Sequence, residues 1–190
     1  MRDDILFAEG DLSATLDRQR DCLIEEVKGH DQDHLLNTST EDFVTYLVEK
    51  YRFDPIELDE SNIAADTTEG KVDLRRTGRS FLKYEYGSTH VDTTFLEIHV
   101  PVRGDEQLLK LKPSQYNLNP PRASVGCGEI QFSLPLLHDT DEVAVRRHIE
   151  AQLDSIRKYL MWQKSDLETF NRELPGFARD QVDARKKQVL

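Results

Sequence analysis

His30, Asp31, Asp33 and His34 place two imidazoles and two carboxylates within five residues, donor types that can hold a transition metal. The segment is polar throughout, does not read HExxH and has no third cluster of ligands pointing to it, so it reads as a solvated loop between helices. Asp92 followed by Glu97-Ile98-His99 approximates the acid…(D/E)xK layout of restriction-type nucleases. There, two acids hold a divalent cation and a lysine activates water. Here His99 stands where the lysine is required, and Glu97 and His99 fall on the polar face of an alternating strand. Gly126-Cys127-Gly128 lacks the third glycine of a dinucleotide fingerprint and predicts a hairpin turn. Neither Cys22 nor Cys127 has local surroundings that would activate a thiolate. The sequence contains no GxSxG, P-loop or kinase motif.

Leu74 to Tyr86 has a different composition. Arg75, Arg76, Arg79 and Lys83 alternate with Phe81, Tyr84 and Tyr86, against a single acid, Glu85. Guanidinium groups fork onto phosphates and aromatic rings stack on bases. Arg75, Arg76, Arg79, Phe81, Lys83 and Tyr84 are therefore the candidate nucleic-acid or nucleotide contacts. The plainer alternative is that the rings pack while the cations balance an acidic neighbour. Of the chain's 36 acids, 19 lie in the first 70 residues with only 6 lysines and arginines, so that front would repel phosphate.

The elements that would position these residues follow from periodicity. Leu12, Leu16, Leu23 and Val27 share one helical stripe between Asp11 and Gly29. Phe43, Val44, Leu47, Val48 and Tyr51 mark a second helix, preceded by overlapping capping boxes (Thr38 with Glu41, Ser39 with Asp42) and closed before Pro55. Asp59–Gly70 is polar and reads as a loop. Leu96, Ile98, Val100 and Val102 give a strand at strict period two, Gly104-Asp105 a turn, and Leu109 and Leu111 a returning strand. Ala123 and Val125, then Ile130, Phe132 and Leu134, give a second hairpin. The fold class is α+β: two N-terminal helices packed on an antiparallel meander, followed by a long C-terminal helical arm.

The expected division is a module over residues 1–138 and an arm over 139–190. The arm opens with a capping box of Asp139 and Glu142 and carries Ile149, Leu153, Ile156, Leu160, Gln163, Leu167 and Phe170 at heptad spacing. Leu174-Pro175-Gly176 predicts a break before a final helix. The stripe is the candidate interface for a homo-oligomer or partner protein, with Gln163 as a register-setting polar residue; its alternative is packing against the module itself. Arg185 to Leu190 has no stop residue, which predicts that the polypeptide continues. Two cysteines without a CxxC suit a reducing, cytoplasmic setting, and no run of about 18 uncharged apolar residues predicts a membrane-spanning helix. No cofactor or metal is expected.

Three stretches carry a family resemblance: Val100-Pro101-Val102-Arg103-Gly104-Asp105-Glu106-Gln107-Leu108-Leu109; Lys112-Pro113-Ser114 with Leu118-Asn119-Pro120-Pro121-Arg122; and Tyr159-Leu160-Met161-Trp162-Gln163 through Phe170-Asn171 to Leu174-Pro175. Their order resembles the N-terminal region of bacterial proteins that carry a downstream restriction-endonuclease-like domain of the PD-(D/E)xK class. The resemblance implies a non-catalytic region that assembles, positions or regulates a nuclease in defence against foreign DNA. No catalytic residue carries over, because no position matches the nuclease motif. A nucleic-acid-binding module using residues 75–86, or a small metal-dependent hydrolase with a dispersed site, are the alternatives.

Overall fold

The computed structural model describes residues 4–77, 83–137 and 140–189, excluding the side chains of His34, Arg76, Lys83 and Glu85. Its elements run β1 (Asp4–Ile5), β2 (Gly10–Asp11), α1 (Leu12–Gly29), α2 (Gln32–Asn37), α3 (Thr40–Tyr51), β3 (Glu57–Leu58), β4 (Ala64–Asp73), α4 (Lys83–Tyr86), β5 (His90–Arg103), β6 (Leu111–Lys112), β7 (Arg122–Gly126), β8 (Glu129–Leu136) and α5 (Glu142–Val189). The class is α+β, with an antiparallel sheet, N-terminal helices and a long C-terminal helix. No described helix is long and apolar enough to cross a membrane.

Contacts divide the chain into two discontinuous units. One combines residues 1–6, 58–103 and 121–156; the other combines 7–57, 104–120 and 157–190. Each unit thus takes part of α5, where an arm separate from residues 1–138 was expected.

The first unit is built on the sheet. β5 is its central strand, paired antiparallel with β8 on one side and β4 on the other, and β7 and β1 extend the β8 side. Alternation decides which side chains are covered. Ile98 and Val100 of β5, Ile130 and Phe132 of β8 and Ala123 of β7 share one face and are buried. Towards the other end of β5 the opposite face is used instead: Val72 packs with Leu74 and Leu137, and Tyr86, Val91 and Phe95 close over them. Cys127 and Gly128 form the two-residue β7–β8 turn with φ of 55° and 81°, the left-handed pair that matches strand twist.

β4 corrects the loop expected over Asp59–Gly70. Its ten residues pair without interruption from Ala64↔His99 to Asp73↔His90. Residues 64–69 are exposed on both faces, so no apolar alternation marks them in the sequence.

The second unit is helical. Leu12, Leu16, Leu23 and Val27 of α1, Phe43, Val44, Leu47 and Tyr51 of α3, and Leu160, Leu167, Phe170 and Leu174 of α5 are all buried. The Ser39 capping box does not form. Ser39 stands at the α3 N-cap without a side-chain bond, and the Glu41 carboxylate instead takes both arms of Arg179, at 2.7 and 2.5 Å. Asp11 caps α1 only by position, its carboxylate lying 2.9 Å from Lys112 Nζ. At α5, Asp139 lies outside the described residues, and Asp141 accepts the Ala144 amide at 2.6 Å. Gln32–Asn37, read as loop, forms the short helix α2.

Two further expectations are overturned. Residues 106–110 form a 3-10 turn rather than a returning strand, because Leu108 and Leu109 are both buried and adjacent burial does not fit period two. Gly104, at φ 105°, starts this departure; a Cβ there would lie 2.4 Å from the Pro55 carbonyl oxygen. α5 also runs unbroken through Pro175. Ala178 and Val182 continue the buried stripe beyond it, so packing on both sides outweighs the lost amide bond. Replacing Pro175 with alanine restores a donor to the Asn171 carbonyl. Urea unfolding of Pro175→Ala should show stabilisation of about 1–3 kcal/mol.

Candidate functional site

The nuclease-like layout does not assemble. Period two puts Asp92 on one face of β5 and Glu97 and His99 on the other. Asp92 is exposed, 3.7 Å from Lys71 Nζ. Glu97 accepts a bond from the Thr68 hydroxyl at 2.9 Å. His99 Nδ1 lies 3.1 Å from Glu129 Oε1, while its Nε2 is buried without a hydrogen-bond partner, 3.9 Å from Asp66. Gln131 donates to the same Glu129 carboxylate; that bond, with the His99 contact, holds the Glu129 carboxyl below its ordinary range. This is a polar ladder joining β4, β5 and β8. Among the described residues, no group of three or more His, Cys, Asp or Glu is placed to hold a metal. The dispersed hydrolase site is not brought together at Asp92, Glu97 and His99.

The basic–aromatic segment is only partly described. Arg79 and Phe81 lie outside the described residues, as do the side chains of Arg76 and Lys83. Tyr84 is 83% exposed. Tyr86 packs on the Val72–Leu74–Leu137 cluster, as the plainer reading required. Arg75, its side chain exposed, forks Nε and Nη2 onto the Asp73 carboxylate at 3.0 and 2.8 Å, and its amide bonds the same group. The Arg75 side-chain bond, opposed by partial desolvation, holds the Asp73 carboxyl at about 2.

Of the remaining candidates, His30 has a structural partner. His30 stacks against Phe43 with ring centroids 4.6 Å apart, and His34's side chain is outside the description. Both cysteines are exposed. Between α1 and α3, Glu26 gathers Lys50, Tyr51 and Tyr46. Burial pushes the Glu26 carboxyl up, but those three bonds outweigh it and hold it below its usual range. Burial and the neighbouring Glu26 push the Tyr51 hydroxyl up to about 12.

The α5 stripe is covered by the chain itself. Leu153, Ile156, Leu160, Gln163, Leu167 and Phe170 are buried, and only Ile149 is half exposed. The surface expected to meet a second chain is therefore already occupied, which is the alternative the spacing left open. Gln163, 2% exposed, donates from Nε2 to the carbonyls of Leu108 and Leu111, both at 2.6 Å. Tyr159 stacks on Phe7 at 4.9 Å, and its hydroxyl donates to the Asn117 carbonyl at 2.9 Å. Ser114 places its amide and hydroxyl on Asp166, at 2.9 and 2.7 Å. Asn171 brackets Phe53, accepting from its amide at 3.2 Å and donating to its carbonyl at 2.9 Å.

A cleft of about 230 Å³ lies beside these bonds, lined by Ser13, Leu16, Arg20, Ser114, Asp166 and Phe170 among others. Its charges are already engaged. Arg20 reaches Asp17 and Glu173 and sits over the Phe170 ring, and Asp166 holds Ser114. Sequence reasoning missed Tyr159, Ser114, Asp166 and Asn171 as bonding partners. Their signal is only that polar residues flank an apolar helical stripe.

Two measurements check these assignments. In Gln163→Leu the Leu108 and Leu111 carbonyls lose a buried donor, and chemical unfolding should show a loss of about 2 kcal/mol. Because the folded Asp73 carboxyl lies below its unfolded value, its pairing stabilises the fold above pH about 4 and is lost as pH falls through about 2. An NMR titration should find the Asp73 transition near that value, and Arg75→Ala should move it upward. No family model, curated protein or solved structure matches the chain.

Proposed function

We propose that this chain is a non-catalytic assembly and regulatory module of a bacterial nuclease-type protein acting against foreign DNA. The observation that carries the reading is where the polar groups of the family-like stretches go. Gln163 bonds Leu108 and Leu111, Tyr159 bonds Asn117, and Asn171 bonds Phe53. Through Gln163 and Tyr159 the stretches around residues 100–122 and 159–175 bind one another, while Asn171 holds Phe53. A catalytic set would aim donors and acceptors into a cleft, whereas these groups are consumed in holding a loop onto a helix.

Nucleic-acid binding through residues 75–86 is the second reading. The exposed ring of Tyr84 favours it, and the fork of Arg75 onto Asp73 opposes it.

Incubation of the purified chain with supercoiled plasmid and Mg²⁺ or Mn²⁺ should leave the DNA intact. Nicking that disappears in Glu97→Gln would overturn the non-catalytic assignment. In a phage-challenge assay, removing this segment from the gene that encodes it should abolish protection; unchanged plaque counts would sink the defence role. A salt-dependent DNA gel shift lost in Tyr84→Ala would transfer support to the second reading.

A further inference from the structure

β4 has a free edge. Its inner edge pairs with β5 over all ten residues, and among the described residues no strand pairs with its outer edge. Edge strands are ordinarily guarded by shortness, a bulge, a proline, charged side chains (lysine above all) or a covering element, since their open amides and carbonyls invite another strand, and of these guards β4 carries the charges. β4 is ten residues long, contains no proline and keeps an unbroken register. Over residues 64–69 it is exposed on both faces. The side chains along it run Ala64, Ala65, Asp66, Thr67, Thr68, Glu69, Lys71, Val72 and Asp73, with Gly70 between Glu69 and Lys71.

That order is self-complementary. In an antiparallel pair about a two-fold axis perpendicular to the sheet, residues opposite each other lie on the same face, which restricts the axis to pass through a residue. An axis through Glu69 sets two glutamates face to face, and one through Lys71 sets two lysines face to face. An axis through Thr68 places Lys71 opposite Ala65 and makes no charge pair, and one through Val72 sets Lys71 against Asp73 but overlaps only the last residues of the strand and competes with the Arg75 fork onto Asp73. Through Gly70, Glu69 of each copy faces Lys71 of the other, twice by symmetry, while Thr68 faces Val72 and Thr67 faces Asp73. Opposite charges directly across a strand pair stabilise it, and like charges destabilise it. Glycine at the axis lets the two backbones approach closely. Its own face is filled by Phe95, whose ring a Cβ on Gly70 would meet at 2.9 Å. The one ion pair Lys71 would give up, to Asp92 at 3.7 Å, is long and exposed on both partners.

We propose that two copies of this chain pair antiparallel through their β4 edges, with the two-fold axis at Gly70 and reciprocal Glu69–Lys71 pairs, extending each sheet across the dimer. The proposal rests on the assembly reading above and gives it a surface, which the buried α5 stripe does not supply.

Sedimentation velocity on the purified chain from micromolar to millimolar concentration tests it. A concentration-dependent dimer is expected. Lys71→Glu and Glu69→Lys should each weaken it about tenfold or more, and the double exchange Glu69→Lys with Lys71→Glu should restore it. Both side chains are exposed, so circular dichroism should be unchanged in all three variants. A dimer indifferent to both single changes, or one not restored by the double exchange, rules out the β4 edge and leaves assembly through another surface standing. A monomer at every concentration rules out the edge and self-assembly together, while the plaque assay still judges the defence role independently.

Discussion

The helical unit depends on one buried amide. Gln163 lies on an otherwise apolar stripe, and its Nε2 joins the carbonyls of Leu108, within the 3-10 turn over residues 106–110, and of Leu111, just after it. The Leu108 carbonyl also accepts the Leu111 amide across the turn, so Gln163 gives that carbonyl a second donor and gives the Leu111 carbonyl a side-chain donor. With those carbonyls held, Leu108 and Leu109 can both be buried. The next carbonyls in the turn then receive the N-terminal segment: Phe7 donates to Leu109 at 2.7 Å and Glu9 to Lys110 at 2.9 Å. The β2–β6 pair and the Phe7–Tyr159 stack follow in the same few residues. Phe7 sits at φ 57°, a conformation unfavourable for a bulky side chain, and it is retained with the ring 2% exposed. Bonding at its amide and stacking on its ring offset that strain.

Much of this architecture is legible from residue spacing, for identifiable reasons. Ile98 and Val100, and Ile130 and Phe132, announce their strands because one face is covered and the other is not. Gly126-Cys127-Gly128 announces a turn because it falls between two alternating stretches, and the pairing of Gly126 with Glu129 narrows it to two residues. β4 is illegible because exposure on both faces removes the alternation that would reveal a strand. The continuity of α5 is illegible for a different reason. Pro175 carries a local penalty written in the sequence, and the burial of Ala178 and Val182 that overrides it is a tertiary fact. The opposed faces of Asp92 and Glu97 could have been read from their odd separation along a strand, once the strand itself was granted.

The direction of the α5 stripe was open for a physical reason as well. A heptad of apolar residues states that a helix must be covered and does not state by what. A polar residue on such a seam fixes register wherever its partner lies. In a coiled coil that partner belongs to another helix, and here Gln163 finds it in main-chain carbonyls of the same chain. The role is conserved while the partner changes, so the amide cannot by itself mark an intermolecular interface.

Assembly, where it occurs, must then draw on bonding capacity that the fold leaves unspent. Apolar surface is poorly available on the described stripe, since its large side chains are already buried. Main-chain capacity is available along β4, where ten residues pair on one edge and, among the described residues, no strand pairs with the other. Such an edge is indifferent to partner unless side chains discriminate. On β4 the discriminating side chains are Glu69 and Lys71, two residues apart on the same face, with only glycine between them. A single charge would repel a second copy, and a charge pair spaced in this way selects one antiparallel register against its neighbours. Gln163, turned inward, closes the α5 stripe, and the proposed pairing therefore uses the sheet edge instead.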